Sequence, residues 1–505
     1  MKNKLAILFI ILVSASLYAF TIRGEVGNFS DARDYQGASA TGGPFESSHE
    51  RAPYMQMLSI IDRQAFDLTQ EQADFAAPDA GYENGKFYSL FPPGVSLSLI
   101  PLYVLGSQYD LGQVFAYATM ALFTVLTMVF IFMISRQILG LSVWASIFGA
   151  LIFGFASTSW GYAITIYQHV TTAFLVIFGF YATWKYKQEE RFSWIWGSLV
   201  WLVYGISIFV DYPNAFLLLP IMAYFLFSSI RFDRDNAAYK LRIRTALFFT
   251  SIVFIGITAL HLYHNETVFG NWKKFSNRIP RYQIVNLEEL QEREKGIVNQ
   301  TQSVSRVFQE RYVPNGFYRL TVAPDKGIFF FSPIFLLALL GVYKLRRKIN
   351  IETGILLALI GVNFLVYISF SDPWGGWAYG PRYLVPSMAV LSLFVAFWIS
   401  RGEIWKKIIA FILFAYSSAI ALLGALTTNA VPPKIEADFL GLKYNFFYNL
   451  DFFMDGKSGS FLYNTYFFKT LSLQDYFLLI YIALLIVVTV VLFIVPLFET
   501  KHESR

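Results

Sequence analysis

The sequence contains no cysteine, and only 15% of its 505 residues are charged. The absence of cysteine excludes disulfides, thiolate chemistry and cysteine-based metal sites. Histidine is scarce too: there are five, too scattered to predict a histidine cluster. The chain also lacks the GxxxxGK[ST] loop that would indicate a bound nucleoside triphosphate. These absences exclude several common classes of soluble enzyme.

Apolar residues dominate instead, at 56% of the chain, with 52 Phe, 31 Tyr and 11 Trp. Repeated apolar runs of about 17–25 residues have the length of a helix that crosses a bilayer. The net charge of +6 comes largely from the short loops between these runs, so it does not predict nucleic-acid binding. The sequence therefore predicts an all-α membrane protein with about twelve transmembrane helices.

The first predicted span ends at residue 20, and we expect it to be an uncleaved signal anchor rather than a cleaved signal peptide. The apolar run 95–106 is too short to cross, so we expect it to lie at the membrane interface. The other predicted spans are 112–135, 142–158, 163–184, 192–210, 213–230, 245–264, 327–343, 350–370, 384–400, 407–428 and 475–497.

Charge predicts the orientation of these spans. Lys and Arg are several times denser in the short loops on one side than in the three long loops on the other. The positive-inside rule therefore predicts a multi-pass plasma-membrane protein with both termini in the cytoplasm. The predicted segments are 1–20 (first helix), 21–111 (first outer loop with juxtamembrane helices), 112–264 (helices 2–7), 265–326 (second outer loop), 327–428 (helices 8–11), 429–474 (third outer loop) and 475–505 (last helix and tail).

The first long loop opens with an acidic motif at residues 29–35. Asp31, Asp34 and Tyr35 are spaced i, i+3, i+4, so a helix here would place them on one face. Our hypothesis is that Asp31 is a catalytic carboxylate folded back onto the membrane bundle, with Asp34 as its partner. The alternative is that these are solvated loop residues or a helix N-cap.

A second candidate region is the hairpin 372–383. Three Gly and two Pro predict a tight, rigid turn, and Trp377, Tyr379 and Tyr383 are typical of a membrane interface. Arg382 is its only cation. An arginine at the membrane edge suits a phosphate head group. The alternative is an arginine that merely extends toward the interface.

Tyr167, His169 and Asp211 lie near predicted span ends on the same side. Because a charge at mid-bilayer costs about 3 kcal/mol or more, Asp211 is expected at the rim. His169 is a candidate for substrate binding, and the alternative is a histidine satisfied within the bundle.

Taken together, four stretches resemble the GT-C glycosyltransferases, the class of the protein O-mannosyltransferases and aminoarabinose transferases, and most of all their poorly characterised bacterial branch. The stretches are the acidic motif 31–34, 86–94 (KFYSLFPPG), 158–165 (TSWGYAIT) and 374–386 (WGGWAYGPRYLVP). The resemblance covers roughly residues 1–400. It implies an inverting transfer of a sugar from a polyprenyl-phosphate donor at the outer face of the membrane.

The resemblance also implies roles for single residues. Asp31 would act as the base, with Asp34 as a second candidate because paired carboxylates are not adjacent here. Arg382 would hold the donor phosphate. Lys86, Tyr88 and Pro93 would line the donor site, together with the hairpin aromatics and His169 named above.

Other functions are open at this stage. A flippase or transporter for lipid-linked saccharides would need polar residues at mid-membrane, whereas polar residues here gather at the ends of the spans. A non-catalytic assembly protein is the other alternative. The acceptor could be a glycan, a lipid or a protein. No cofactor is required, and a divalent cation at the first-loop carboxylates is an alternative for which no ligand spacing is visible.

Overall fold

The protein is described here from a computed structural model. The structure describes residues 2–29, 43–235, 238–282, 308–347 and 349–503. For residues 231–235, 238–242 and 500–503 it describes the backbone only. Asp31 and Asp34 lie outside the described residues. The roles predicted for them therefore stay predictions.

Helices make up most of the chain. The α-helices of the first half are Lys2–Thr21 (α1), Ser48–Arg63 (α2), Gln70–Ala76 (α3), Gly94–Ser107 (α4), Gly112–Gln137 (α5), Val143–Phe155 (α6), Ser159–Ala163 (α7), Gln168–Gln188 (α8), Ser193–Val210 (α9), Asn214–Leu217 (α10), Leu219–Ser229 (α11) and Thr245–Phe269 (α12). Those of the second half are Val313–Thr321 (α13), Ile328–Phe331 (α14), Leu336–Leu345 (α15), Ile351–Ile368 (α16), Val385–Ile399 (α17), Ile404–Leu426 (α18), Lys434–Leu440 (α19), Phe446–Met454 (α20), Leu473–Thr489 (α21) and Val495–Glu503 (α22).

Shorter elements connect them. The strands are Asp67–Leu68 (β1), Ala80–Glu83 (β2), Lys86–Ser89 (β3), Ile230–Asp235 (β4) and Ala238–Ile243 (β5). Single 3₁₀ turns occur at Ser276–Arg278, Glu310–Tyr312, Pro333–Phe335 and Arg382–Leu384, and π-helical turns at Tyr463–Phe467 and Val490–Ile494.

Eight helical stretches in the described residues are long and apolar enough to cross a membrane. Four shorter apolar segments accompany them, including 94–107 and 143–155. The all-α membrane architecture is thus confirmed, while the number of twelve spans stays a prediction. The predicted span 327–343 is not one helix. It breaks between α14 and α15 at Ser332–Pro333, because proline lacks the amide hydrogen and clashes with the preceding turn.

Helix α17 forms the centre of the bundle. Its span is 89% buried within the protein, whereas that of α12 is only 11% buried. It packs against α5, α6, α8 and α15. Gly149 lets α6 approach closely, since an added Cβ there would lie 2.9 Å from the Cβ of Ala396. The 3₁₀ turn that begins with Arg382 leads directly into this central helix.

The long loops meet at one end of the bundle, here called the loop-rich end. Backbone hydrogen bonds join the first loop to the second, the second to the hairpin before Arg382, and the hairpin to the third loop. The pairs are Tyr82 N to Pro280 O, Gln309 N to Ser369 O and Ala378 N to Val431 O, each at 2.9 Å. Elsewhere, the Lys187–Glu352 ion pair at 2.7 Å joins the last turn of α8 to the first turn of α16.

Helix α4 packs mainly against α5, the helix that follows it in the chain. Its first residue, Gly94, packs against the end of α9, where an added Cβ would lie 2.8 Å from Val210 N. Its last residue, Ser107, accepts a hydrogen bond from Asn28, just after α1, at 3.0 Å. Both ends of the helix therefore contact the same end of the bundle.

A small antiparallel sheet in the first loop has the strand order β1-β3-β2. Lys86 pairs with Glu83 in its register, and Tyr88 pairs with both Asp67 and Gly81. The sheet is anchored to the second loop, since Tyr282 N donates to Ala80 O at 2.8 Å.

Candidate active site

Four elements bring polar side chains together at the loop-rich end. The start of α2 supplies His49 and Glu50, and the start of α8 supplies Gln168 and His169. The end of α9 supplies Asp211, and the hairpin before α17 supplies Arg382. Tyr162, Tyr167, Tyr367 and Tyr383 surround these groups. This set is called the Arg382 cluster below.

Among the described residues, Arg382 is held by aromatic rings and not by an acid. Its guanidinium carbon lies 5.5 Å from the ring centre of Tyr167 and 5.2 Å from that of Tyr383. No described carboxylate forms an ion pair with it, and its buried Nε has no hydrogen-bond partner among the described residues. Cation–π contacts contribute only about 0.5–2 kcal/mol each. The described residues therefore position this charge without supplying an acid that neutralises it.

Gly375 makes room for this arginine. Its φ of +67° is the left-handed conformation that side chains rarely adopt, and an added Cβ would lie 2.8 Å from Arg382 Nε. The turn is closed by Gly375 N, which donates to Asp372 Oδ1 at 3.2 Å. Burial raises the pKa of the Asp372 carboxyl, and the positive charge of Arg382 opposes that rise.

The rings of His49, Tyr167 and His169 form a triangle, in which Tyr167 lies 6.3 Å from His169. His49 stacks on the Tyr167 ring at 4.5 Å with the planes 13° apart, and His169 meets Tyr383 edge to face at 5.5 Å. The two imidazoles are 6.4 Å apart. Burial lowers the pKa of His49 well below its usual value, and the positive charge of Arg382 lowers it further. Both effects favour the neutral imidazole.

Gln168 connects His49 to Asp211. Its Nε2 donates to Asp211 Oδ2 at 3.4 Å, and its Oε1 lies 2.5 Å from His49 Nε2. Burial raises the pKa of the Asp211 carboxyl to about 6, although the Gln168 hydrogen bond and the charge of Arg382 oppose the rise. The chain thus places a titratable carboxyl one amide away from the imidazole.

Glu50 is a buried acid with one free oxygen. Its Oε1 accepts from Ile166 N at 3.3 Å, while Oε2 has no partner among the described residues. Burial and the negative charge of Glu46 together raise the pKa of Glu50 to about 8, against the opposing charge of Arg23. Glu46 itself is bound to Arg23 in a buried ion pair at 2.8 Å.

Lys326 ties the hairpin to its surroundings. The side chain is fully buried, and its ammonium donates to the carbonyls of Ala378 and Val431. Burial lowers the pKa of Lys326 to about 7. A lysine that donates to two carbonyls in different loops fixes the hairpin on the bundle and so positions Arg382.

The structure brings some of the predicted site residues together. Arg382, His169 and Tyr383 are in the Arg382 cluster. Tyr379 lies behind it, fully buried, where its hydroxyl donates to Ile420 O at 2.6 Å and its carbonyl accepts from Tyr162 at 2.9 Å. Pro93 precedes Gly94, which packs against the end of α9 next to Asp211.

The other predicted site residues contact different partners. Lys86 forms an ion pair with Asp67 at 3.3 Å, and its side chain is 58% exposed. Tyr88 donates to Val268 O at 2.9 Å, and Trp377 donates to Glu436. No described contact joins these three residues to Arg382. Their predicted role at the donor site stays a prediction.

Sequence reasoning gave little weight to His49, Glu50 and Gln168. The signal available was the polar run 46–51, which holds two acids, a histidine and an arginine inside a long loop. Nothing in that run shows that Glu46 and Glu50 become buried.

Among the described residues, no group of three or more His, Cys, Asp or Glu is arranged to hold a metal ion.

No protein-family model matches the chain, and no curated protein matches it. The solved structures that it resembles include the oligosaccharyltransferase of Archaeoglobus fulgidus in the apo form. The two share 12% identity with a TM-score of 0.48, over 87% of this chain and 57% of the other. The chain thus spans little more than half the length of that protein.

A second similar structure is ArnT from Cupriavidus metallidurans bound to undecaprenyl phosphate, at 13% identity and a TM-score of 0.47, covering 96% of this chain and 76% of that one. A third is the oligosaccharyltransferase AglB from Archaeoglobus fulgidus in complex with an inhibitory peptide and a dolichol-phosphate. It has 12% identity and a TM-score of 0.43, over 87% of this chain and 57% of that one. Because the identities are this low, the function proposed below rests on this chain's own residues.

Proposed function

We propose that the protein is an inverting membrane glycosyltransferase that moves a sugar from a polyprenyl-phosphate donor to an acceptor at the extracytoplasmic face. One observation carries the proposal. Arg382 is a cation without an acidic partner among the described residues, mounted on aromatic rings where the loops meet the central helix. The guanidinium is only partly exposed, and a charge withdrawn from water without a counter-charge is costly unless a ligand compensates it.

The ligand chemistry follows from this position. A guanidinium binds a phosphate through charge-assisted hydrogen bonds, and the unpartnered Nε of Arg382 is one such donor. Helix α17 begins three residues later, so the positive end of a 15-residue helix lies nearby. A polyprenyl phosphate carries its anion at the membrane interface, and its chain lies among apolar helices. The surroundings of Arg382 suit this class of ligand.

The reaction needs two groups. The acceptor hydroxyl oxygen attacks the anomeric carbon, and the bond from that carbon to the phosphate oxygen breaks. The electron pair stays on the lipid phosphate, where Arg382 stabilises the growing negative charge. The hydroxyl proton goes to a carboxylate, for which Asp31 and Asp34 are the proposed candidates. The tyrosine rings around Arg382 limit access of water.

The test is transfer from a labelled donor by purified protein in detergent. With a polyprenyl phosphate that carries a radiolabelled sugar, we expect transfer, or slow hydrolysis, that releases lipid phosphate. Asp31→Asn or Asp34→Asn should abolish turnover while donor binding persists. Arg63→Ala is the matched control, because Arg63 is a loop arginine already paired with Asp67.

Two results would contradict the proposal. Full turnover in both Asp→Asn variants would remove the predicted base. Donor binding without any release of lipid phosphate would favour a transporter of lipid-linked saccharides.

A further inference from the structure

Two histidines flank the proposed phosphate site, and the reaction described above uses neither as a proton carrier. His49 is 8% exposed and His169 is 2% exposed. They come from different elements, α2 and α8, yet their rings are 6.4 Å apart and within 19° of parallel. Two buried imidazoles thus lie beside a positively charged side chain. We take this arrangement to indicate a ligand that binds next to them.

The tautomer of His49 follows from its neighbours. Gln168 donates through Nε2 to Asp211, which orients its Oε1 toward His49. An amide oxygen only accepts, so Nε2 of His49 carries the hydrogen. In the neutral ring the lone pair is then on Nδ1, which can still bind a proton. His169 also has a ring nitrogen available for a hydrogen bond, because its buried Nε2 has no partner among the described residues.

The charge of the lipid phosphate changes during the proposed reaction. A sugar-linked donor is a phosphodiester with a single negative charge. The released lipid phosphate is a monoester with about −1.5 to −2 charges near pH 7. Arg382 compensates only one of these charges. In a desolvated site, an additional negative charge favours the protonated form of a nearby imidazole.

We propose that His49 and His169 form a proton-accepting pair that takes up a proton from solvent when a prenyl phosphate monoester binds beside Arg382. This inference rests on the proposed function. The only bond that forms is N–H on an imidazole. The site would then distinguish product from donor by charge: the monoester binds with a proton and the diester binds without one.

Other titratable groups face the two imidazoles. Among the described residues they are Arg382 from the hairpin, Asp211 through Gln168, the acid Glu50 and Arg51 on α2, and the phenols Tyr162, Tyr167, Tyr367 and Tyr383. Asp211, Glu50 and the lysine behind the hairpin, Lys326, could also take up a proton near neutral pH, because burial raises the pKa of Asp211 to about 6 and that of Glu50 to about 8 and lowers that of Lys326 to about 7. The experiment must separate them from the histidines.

The measurement is proton uptake on binding, from calorimetric titrations in buffers with different ionisation enthalpies. The probes are farnesyl phosphate, a monoester, and its methyl diester. At pH 7 we expect roughly half to one proton taken up per bound monoester and almost none per bound diester. In the double variant His49→Gln/His169→Gln, the uptake measured per bound monoester should fall to near zero.

The controls are His264→Gln, Asp211→Asn and Glu50→Gln, all of which should retain the uptake. His264 is a buried histidine outside the cluster, 9% exposed, whose Nε2 also lacks a partner among the described residues. Unchanged uptake in the double histidine variant, or its loss in Asp211→Asn or Glu50→Gln alone, would overturn the proposal. Failure of the wild-type protein to bind either probe would instead contradict the proposed function.

A second measurement needs only the wild-type protein. The ratio of monoester to diester affinity should rise several-fold as the pH falls from about 8 to 6.5, because the bound form carries the additional proton. A ratio that does not change over this range would overturn the proposal even if the histidine variants do not fold.

Discussion

Arg23 and Arg382 are two arginines at the same end of the bundle with different surroundings. Arg23 is fully buried, pairs with Glu46 at 2.8 Å and donates to Thr427 O at 2.8 Å and Gly43 O at 3.3 Å. Arg382 contacts two aromatic rings and no described acid. The first arginine is neutralised by Glu46, whereas no described acid neutralises the second.

The comparison separates stability from function. The Arg23–Glu46 pair joins the end of α1 to the first loop and, through Glu46, to Asn429 of the third loop. Its charges are consumed in holding the loops together. Arg382 is positioned by Gly375 and by aromatic contacts, with hydrogen-bonding capacity left for a ligand. Arg23 should therefore affect folding, and Arg382 should affect binding.

The largest expected effect tests Arg23. Replacing it with methionine leaves Glu46 buried without its cation, which should lower the free energy of unfolding by about 3–5 kcal/mol. Equilibrium unfolding in mixed detergent micelles measures this. The double variant Arg23→Met/Glu46→Leu should recover much of the loss, since no charge is left unpaired. A single variant as stable as wild type would show that the pair does not hold the loops.

The next effect tests the acid beside that pair. Because the pKa of Glu50 is raised to about 8, the folded protein binds a proton that the unfolded chain releases at lower pH. Stability should therefore be highest at acidic pH, fall as the pH rises toward 8, and then level off. Glu50→Gln should remove this slope in a plot of Tm against pH. Glu71→Gln, at an exposed acid on α3, should leave the slope unchanged.

A third prediction concerns Arg382 itself. Arg382→Ala should weaken binding of farnesyl phosphate by about 1.5–3 kcal/mol, roughly 10- to 100-fold, since a hydrogen bond to a charged group contributes that much. The free energy of unfolding should change by less in Arg382→Ala than in Arg23→Met. A large loss of stability with unchanged affinity would reverse the comparison and make Arg382 structural.

The smallest expected effect uses two adjacent glycines as a matched pair. Gly375 and Gly376 have φ values of +67° and +61°, so alanine should destabilise both by about 1 kcal/mol. A Cβ added at Gly375 would approach Arg382, whereas nothing lies within 4 Å of a Cβ added at Gly376. Gly375→Ala should therefore weaken farnesyl phosphate binding several-fold, and Gly376→Ala should not. Equal losses of affinity would mean that the turn, rather than the contact with Arg382, matters.

The architecture could be predicted because it depends on local properties. Apolar runs of spanning length predicted the helices, and Pro and Gly predicted the turn before Arg382. The break at Ser332–Pro333 was missed because hydropathy does not register a proline inside an apolar run. Of the predicted site residues, Arg382, His169 and Tyr383 come together, whereas Lys86 pairs with Asp67, and the roles of all four stay predictions.

The sequence by itself determined the membrane character, the helical content and the presence of a lone cation on a rigid glycine–proline turn. The tertiary structure decided which charges are neutralised. Glu46 and Glu50 are alike in the sequence, four residues apart in one loop. Glu46 meets Arg23, whereas Glu50 keeps a free oxygen. Which charges pair depends on which distant segments of the chain meet. Here the Arg23–Glu46 ion pair joins the end of α1 to the first loop.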